Sequence, residues 1–454
     1  MSMKRFSIIF LGALAMLMAG CSKNEPVSPP DENAWVNDIN LPVPIQFGSS
    51  DLSVTTKATI NGMIDPELGT NKLPAGLDIG VLGFNREAEV WNDPTRTSYL
   101  NPSELLVHKH AVSTSEGNIK FEETVYYPLG SERRYDFYAY YPVLNVPKSE
   151  VTLSVPNGVD ISQVEQTLLG NQVVVKTYDI GYIDILWAST VTVDAENKEF
   201  EVGDGTSVKG YNAKYIRSVK QAELEDQANA AEYQKYYPNL NFKHCLSAAQ
   251  FFVKATDEKT AQELQTNGFK VTGLTIQNVW KDGVLILAIK NPINDSKGKP
   301  INEGDVIGRN VDKESFGDMV LSMKDGKNIP SVVLTNYPQE LGEGLMLVPG
   351  SATYGPSLND KDENVWHIVG KMAYIINGNP GQQEVEFKVS ENNNFKAGYR
   401  YKFTIVIKSP DEVEIKAGLD RWQDGFGETN GTGEEGNGEP FDESGDYTGY
   451  TPID

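Results

Sequence analysis

Residues able to do chemistry are sparse in this chain and stand apart from one another. His108-Lys109-His110 sets two imidazoles on one face of an extended strand, the start of a metal site, but no third ligand stands near in sequence. Solvated strand or loop histidines are therefore expected there. Asp360, Asp362 and Glu363 offer carboxylates to calcium, yet the run lacks the glycine and distal glutamate of an EF-hand, so a solvated turn is expected. His244 and Cys245 put an imidazole beside a thiol. Neighbours on a strand point to opposite faces, so they do not form a nucleophile–base pair. His244 reads as a hydrogen-bonded core histidine, and Cys245 as a small buried apolar residue. Gly431-Thr-Gly-Glu-Glu-Gly436 has the letters of a phosphate-binding turn. It neither follows a strand nor opens a helix, and its two glutamates repel phosphate. No nucleophile elbow or zinc-protease motif with supporting context is present, so no enzyme, cofactor or metal is expected.

One cysteine has a different use. Lys4 and Arg5 precede an apolar run, Phe6 to Met18, that is too short to span a bilayer as a helix. The run ends in Leu17-Met18-Ala19-Gly20-Cys21, which resembles a bacterial lipobox. Residues 1–21 are thus expected to be a lipoprotein signal peptide, with the Cys21 thiol as lipid acceptor. An attached palmitate-type anchor contributes about 0.8 kcal/mol per buried methylene and tethers without a spanning helix. Cys21 and Cys245 are the only cysteines, which excludes a disulfide framework. Residues 22–40, rich in Ser, Pro, Asn and acidic side chains, read as a flexible tether.

The elements behind these residues are strands. The 454 residues suggest about two to three domains. The net charge of -23 excludes nucleic acid as a partner, since that needs a basic footprint. In residues 41–196, Leu41, Val43, Ile45 and Phe47 alternate with polar residues and with Pro42 and Pro44, as in an edge strand. Ile79 to Phe84, Val151 to Val155 and Tyr182 to Ala188 are further strands. Between them, Tyr126-Tyr127-Pro128 and Tyr135-Asp136-Phe137-Tyr138-Ala139-Tyr140-Tyr141-Pro142 read as the two arms of an aromatic hairpin, with Tyr135, Phe137 and Tyr141 buried. Residues 197–238 read as an insertion with a polar helix over Ala222 to Tyr236. Strands resume over 239–423, where Asp282-Gly283 signals a hairpin turn. Residues 424–454 form an acidic, Gly-rich tail expected to be disordered.

In order along the chain, several stretches resemble the fimbrillin family, the type V pilus subunits. These are Cys21, Ile45-Gln46-Phe47, Thr56-Lys57-Ala58, Ile79 to Phe84, both Tyr-Tyr-Pro runs and Asp184 to Ala188. Leu240 to His244, Leu347-Val348-Pro349, Gly398 to Ile405 and Trp422 follow. The resemblance implies an all-β chain of two tandem transthyretin-like β-sandwich domains. It implies a lipid anchor in the outer membrane, surface display, and a structural or adhesive role in fimbriae. The partners it implies are other fimbrial subunits in a homo- or hetero-polymer, with a host glycan or protein as ligand. It further implies β-strand exchange: proteolysis after Lys57, before Ala58, frees the segment bearing Leu41, Val43, Ile45 and Phe47, and a neighbour's strand takes its place. A surface glycan-binding lipoprotein of a nutrient-uptake system is the alternative, with Tyr138 and Tyr140 stacking on sugar.

Overall fold

The computed structural model describes residues 33–48, 72–84, 105–129, 133–143, 173–190, 211–289, 293–294, 300–308, 316–323, 327–349, 366–389, 395–409 and 412–421. Cys21, Lys57, Ala58, the strand expected at Val151 to Val155, the carboxylates at 360–363 and the tail from 424 lie outside the described residues.

Among the described residues the chain is mostly β-strand, in several sheets with few helices. After a short helix α1 (Ala34–Asn37) come β1 (Asp78–Phe84), β2 (Leu105–Ser113), β3 (Ile119–Phe121), β4 (Asp136–Tyr141), β5 (Val173–Asp179) and β6 (Leu186–Ser189). Helix α2 (Ala213–Glu225) and a 3₁₀ stretch (Gln227–Tyr236) lead to β7 (Lys243–His244) and β8 (Ser247–Ala255). Helix α3 (Glu258–Thr266) precedes β9 (Lys270–Trp280), β10 (Asp282–Ile289), β11 (Ile293–Asn294), β12 (Pro300–Ile301), β13 (Val306–Gly308) and β14 (Phe316–Val320). The last strands are β15 (Gln339–Glu340), β16 (Leu345–Leu347), β17 (Trp366–Ile376), β18 (Asn379–Val389), β19 (Tyr399–Ser409) and β20 (Glu412–Arg421).

A six-stranded sheet, ordered β3-β2-β1-β4-β6-β7, carries the first core. Its central strand β4 is covered on both faces. Phe137 packs against Phe47, Tyr127 and Tyr211 on one side. Tyr138 and Tyr140 fill the other, where Trp187 Nε1 donates to the Leu287 carbonyl at 2.9 Å. That carbonyl belongs to β10, the middle strand of a second sheet ordered β13-β10-β5. Two glycines in β1 make room for the rings. A Cβ on Gly80 would lie 2.4 Å from Tyr140 Cζ, and one on Gly83 would lie 2.7 Å from Phe137 Cε1. Those are also their partners in the β1–β4 register. Glycine thus trades strand propensity for aromatic burial on the neighbouring strand.

The aromatic hairpin does not form. Both ladders of β4 are taken, by β1 and by β6. The Tyr126-Tyr127 run pairs instead with the N-terminal segment, through a bridge between Pro44 and Tyr126. Tyr135 and Phe137 are buried as expected, but Tyr141 is half-buried, and Tyr138 and Tyr140 on the opposite face are buried as well. Alternation in sequence assumes one wet face, and a middle layer has none.

Asp282-Gly283 is not a hairpin turn. Both residues begin β10, which pairs with β5 and β13, whereas β9 pairs with β14 and β17. The chain passes from one core to the other at Lys281. A Cβ on Gly283 would lie 2.9 Å from side-chain atoms of both Ile180 and Val306, so tight packing rather than a turn requires glycine there. A second passage joins β7, in the six-stranded sheet, to β8, in the other core. The first core accordingly includes Leu240, Phe242, Cys245, Leu246, Leu285 and Leu287, all beyond residue 238.

The second core lies between sheets ordered β14-β9-β17-β18 and β15-β8-β19-β20, the β8–β19 pair being parallel. Phe251 and Phe403 from one sheet meet Phe387 from the other at centroid distances of 5.0 and 5.2 Å. Asn377 and Gly378, at φ 51° and 80°, close the β17–β18 hairpin, as the Asn-Gly pair of a two-residue turn does. The helices also differ from expectation. Helix α2 begins earlier, capped by Asn212 Oδ1 on the Tyr215 amide at 2.9 Å, and buries Tyr215, Ile216 and Val219. Helix α3 was not expected. Asp257 caps it through the Thr260 amide at 2.8 Å, and Ala261 and Leu264 face the core.

Candidate functional site

Among the described residues, His110, His244 and Cys245 are built into the fold. His110 is buried in β2 opposite Gly80, and His108 takes the backbone position opposite Leu82. His244 Nδ1 lies 2.8 Å from Asp184 Oδ2, and both residues are buried. Cys245 donates its amide to the Ile185 carbonyl at 2.8 Å. Burial pushes its thiol well above the ordinary range, so it holds its proton and is a poor nucleophile. Asp184 and His244 thus join β7 to the residues that lead into β6. Sequence reading placed His244 in the core but missed its partner, which stands sixty residues away. Tyr138 and Tyr140, the expected sugar-stacking pair, present no ring face to a ligand: they are 1% and 0% exposed.

The feature outside this structural frame is the N-terminal segment. Its side chains enter the first core while its backbone makes few ladder bonds. Val43, Ile45 and Phe47 are 1%, 5% and 9% exposed. Phe47 packs on Phe121 and, edge to face, on Phe137, with centroids 5.7 and 5.4 Å apart. Leu41 departs from the expected face: it is 37% exposed and contributes no buried side chain. The Ile45 amide donates to the Val125 carbonyl at 2.7 Å, and the Tyr127 amide to that of Val43 at 2.9 Å. Pro44 sits between these two bonds, so its missing N–H is never called upon. The Gly48 amide donates to the Pro238 carbonyl at 3.0 Å, and a Cβ there would stand 2.1 Å from Asn239 Oδ1.

Upstream, Trp35 and Val36 of α1 are buried. Arg217 of α2 reaches three carbonyls of this stretch. Its Nε donates to Trp35 O at 2.8 Å, and its Nη2 to Asp38 O at 3.1 Å and Leu41 O at 2.6 Å. Burial lowers the guanidinium from its ordinary value, with Asp38 acting the other way. The arrangement is an apolar groove roofed by a short extended segment and fastened at both ends. No feature of Arg217 in the sequence marks it for this work, because its acceptors are backbone atoms.

No family model matches this chain, and no curated protein matches it. Solved structures similar to it include a proposed cell adhesion protein from Bacteroides uniformis, at 15% identity over 85% of this chain and 99% of that one, with a TM-score of 0.39. The tip fimbrial protein Mfa3 from Porphyromonas gingivalis, truncated at its C-terminus, is similar at 10% identity over 84% and 100% of the two chains, with a TM-score of 0.35. The fimbrial anchor protein Mfa2 from the same organism is similar at 9% identity over 85% and 99%, with a TM-score of 0.31.

Proposed function

We propose that this chain is a surface-exposed structural and adhesive subunit of fimbriae, tethered to the outer membrane through a lipid on Cys21 and joined to other subunits by strand exchange. The observation that carries this reading is the seating of residues 43–47. Three apolar side chains fill the first core from a segment that, among the described residues, makes two ladder hydrogen bonds, with Val125 and Tyr127. Burying Val, Ile and Phe side chains is worth about 1.5–3 kcal/mol each, so most of the hold is side-chain burial rather than backbone pairing. A strand from another subunit with the same alternation recovers that burial and can add main-chain bonds. The ordered sequence resemblance supports the same reading, with cleavage between Lys57 and Ala58 as the priming step. In this reading the chain performs no catalysis and needs no cofactor.

N-terminal sequencing of surface-shed protein tests the priming step: a start at Ala58 is expected, and a mature chain beginning at Cys21 rules the cut out. Denaturing gels of unheated envelopes test assembly. A heat-sensitive ladder is expected, and a single unheated band at the monomer position counts against polymerisation. Replacing Cys21 with Ser should release the uncleaved form from membranes.

A further inference from the structure

We infer that cleavage and release of the N-terminal segment are separate steps, and that Arg217 governs the second. This rests on the strand-exchange reading only for its biological purpose; the latch itself is a property of the folded chain. The cut expected at Lys57 lies downstream of the seated residues, whereas Arg217 holds the segment upstream, at the carbonyls of Trp35, Asp38 and Leu41. Severing the chain at residue 57 therefore leaves the contacts described for residues 33–48 in place. Trp35, Val36, Val43, Ile45 and Phe47 stay buried, and Gly48 stays bonded to Pro238.

The guanidinium suits this task because it presents several donors in one plane, and here two of its nitrogens serve three acceptors from separate turns of the backbone. A lysine ammonium at the end of a flexible stem cannot span them together. Hydrogen bonds from a charged donor are stronger than neutral ones, so their loss shifts the seated–released balance by a factor of ten or more. The latch also couples the segment to α2, whose Tyr215, Ile216 and Val219 sit in the same core. A partner that peels the segment from its cut end meets the Arg217 contacts last, so complete release waits on them. A cut chain in isolation thus keeps its groove filled and does not expose Phe121, Tyr127 and Phe137 to unspecific association.

The test uses the full chain with a site-specific protease sequence inserted between Lys57 and Ala58, so it does not depend on any natural cut. After cleavage, the N-terminal fragment of the parent chain is expected to co-elute with the remainder in gel filtration without denaturant. Arg217→Ala should release it at least about tenfold faster, with Arg217→Lys between the two. In the uncut chain, amide exchange at Ile45 and Tyr127 should accelerate in the same order, while exchange within β8 and β19 stays unchanged. Loss of the fragment from the parent chain at the rate seen for the variants overturns the proposal. So does unchanged exchange in Arg217→Lys, which serves if Arg217→Ala does not fold. Failure to find a mature N-terminus at Ala58 in cells would break the functional reading and leave the release assay to decide the latch.

Discussion

The two cores bury aromatic area by different means. The first relies on tyrosine: Tyr127, Tyr138, Tyr140, Tyr178, Tyr211 and Tyr215 are all buried within it. The second relies on phenylalanine, with Phe251, Phe269, Phe387, Phe395 and Phe403 joined, among the described residues, by one buried tyrosine, Tyr401. A buried phenol brings a polar atom that must be accommodated, as where Tyr178 donates to the Pro142 carbonyl at 3.0 Å and Tyr237 to Glu223 Oε2 at 2.6 Å. It also brings a titration. The tyrosine-rich core is the one that holds the N-terminal segment. The core that seats the N-terminal segment is thus the one richer in buried phenols, and the other is packed mainly by phenylalanine.

The widest separation between the cores should come from truncating one ring in each. Phe137→Ala should cost about 3–5 kcal/mol and loosen the seat of Phe47, whereas Phe403→Ala should cost as much and leave that seat unchanged. Denaturant titration gives the first quantity, and protease accessibility of residues 33–48 gives the second. Equal exposure of the segment in both variants would break the distinction.

Alkali should divide the cores next. Burial raises the phenols of Tyr127, Tyr140, Tyr178 and Tyr211 above their ordinary value, with neighbouring tyrosines adding to the effect at Tyr127, Tyr178 and Tyr211. The native state therefore holds protons that the unfolded chain releases near pH ~10. Stability from these groups is fully present below that pH and falls as pH rises toward the raised native values. Tyr401 is the corresponding group in the second core. Tyrosinate absorbance should appear together with loss of first-core near-ultraviolet dichroism, and gradual ionisation without unfolding would contradict this.

A smaller effect should follow from Gly80→Ala, which places a methyl against the Tyr140 ring and should cost about 1–3 kcal/mol. Tyr140→Leu in the same chain should recover part of it, as a double-mutant cycle would show. The smallest expected effect is in the second half. The Thr260 amide and hydroxyl hold the Asp257 carboxylate below its ordinary range. Its stabilisation is present above the usual aspartate range and is lost as pH falls through the lowered native value. Asp257→Ala should therefore lower the melting temperature slightly at neutral pH, and the difference from the parent chain should vanish in acid.

Strand identity was largely legible, because alternation and Gly/Pro punctuation are local signals. Ile79 to Phe84 and Tyr399 to Ile407 fall inside β1 and β19. Pairing was not legible. The aromatic runs on either side of residue 130 go to different partners because β4 has both ladders filled, which no local pattern reveals. Helix α3 did leave a signal: Asp257 stands three residues before Thr260, and Gly268, at φ +64°, follows the helix. The short span between two strands hid it. At the N-terminal segment, the alternation of Val43, Ile45 and Phe47 was readable and the Arg217 latch was not, since a guanidinium that binds carbonyls leaves no complementary residue in the sequence.

The two passages between cores have a mechanical consequence. At Cys245-Leu246 and at Lys281 the backbone leaves one sheet and enters the next within a residue or two. Tension applied to the first core along β10 reaches the second through β9 as a direct pull on main-chain bonds. Relative rotation of the two halves would have to shear β10 from β5 and β8 from β19 rather than bend a slack connector. A pull on one half is therefore borne by the ladders of the other rather than taken up by slack.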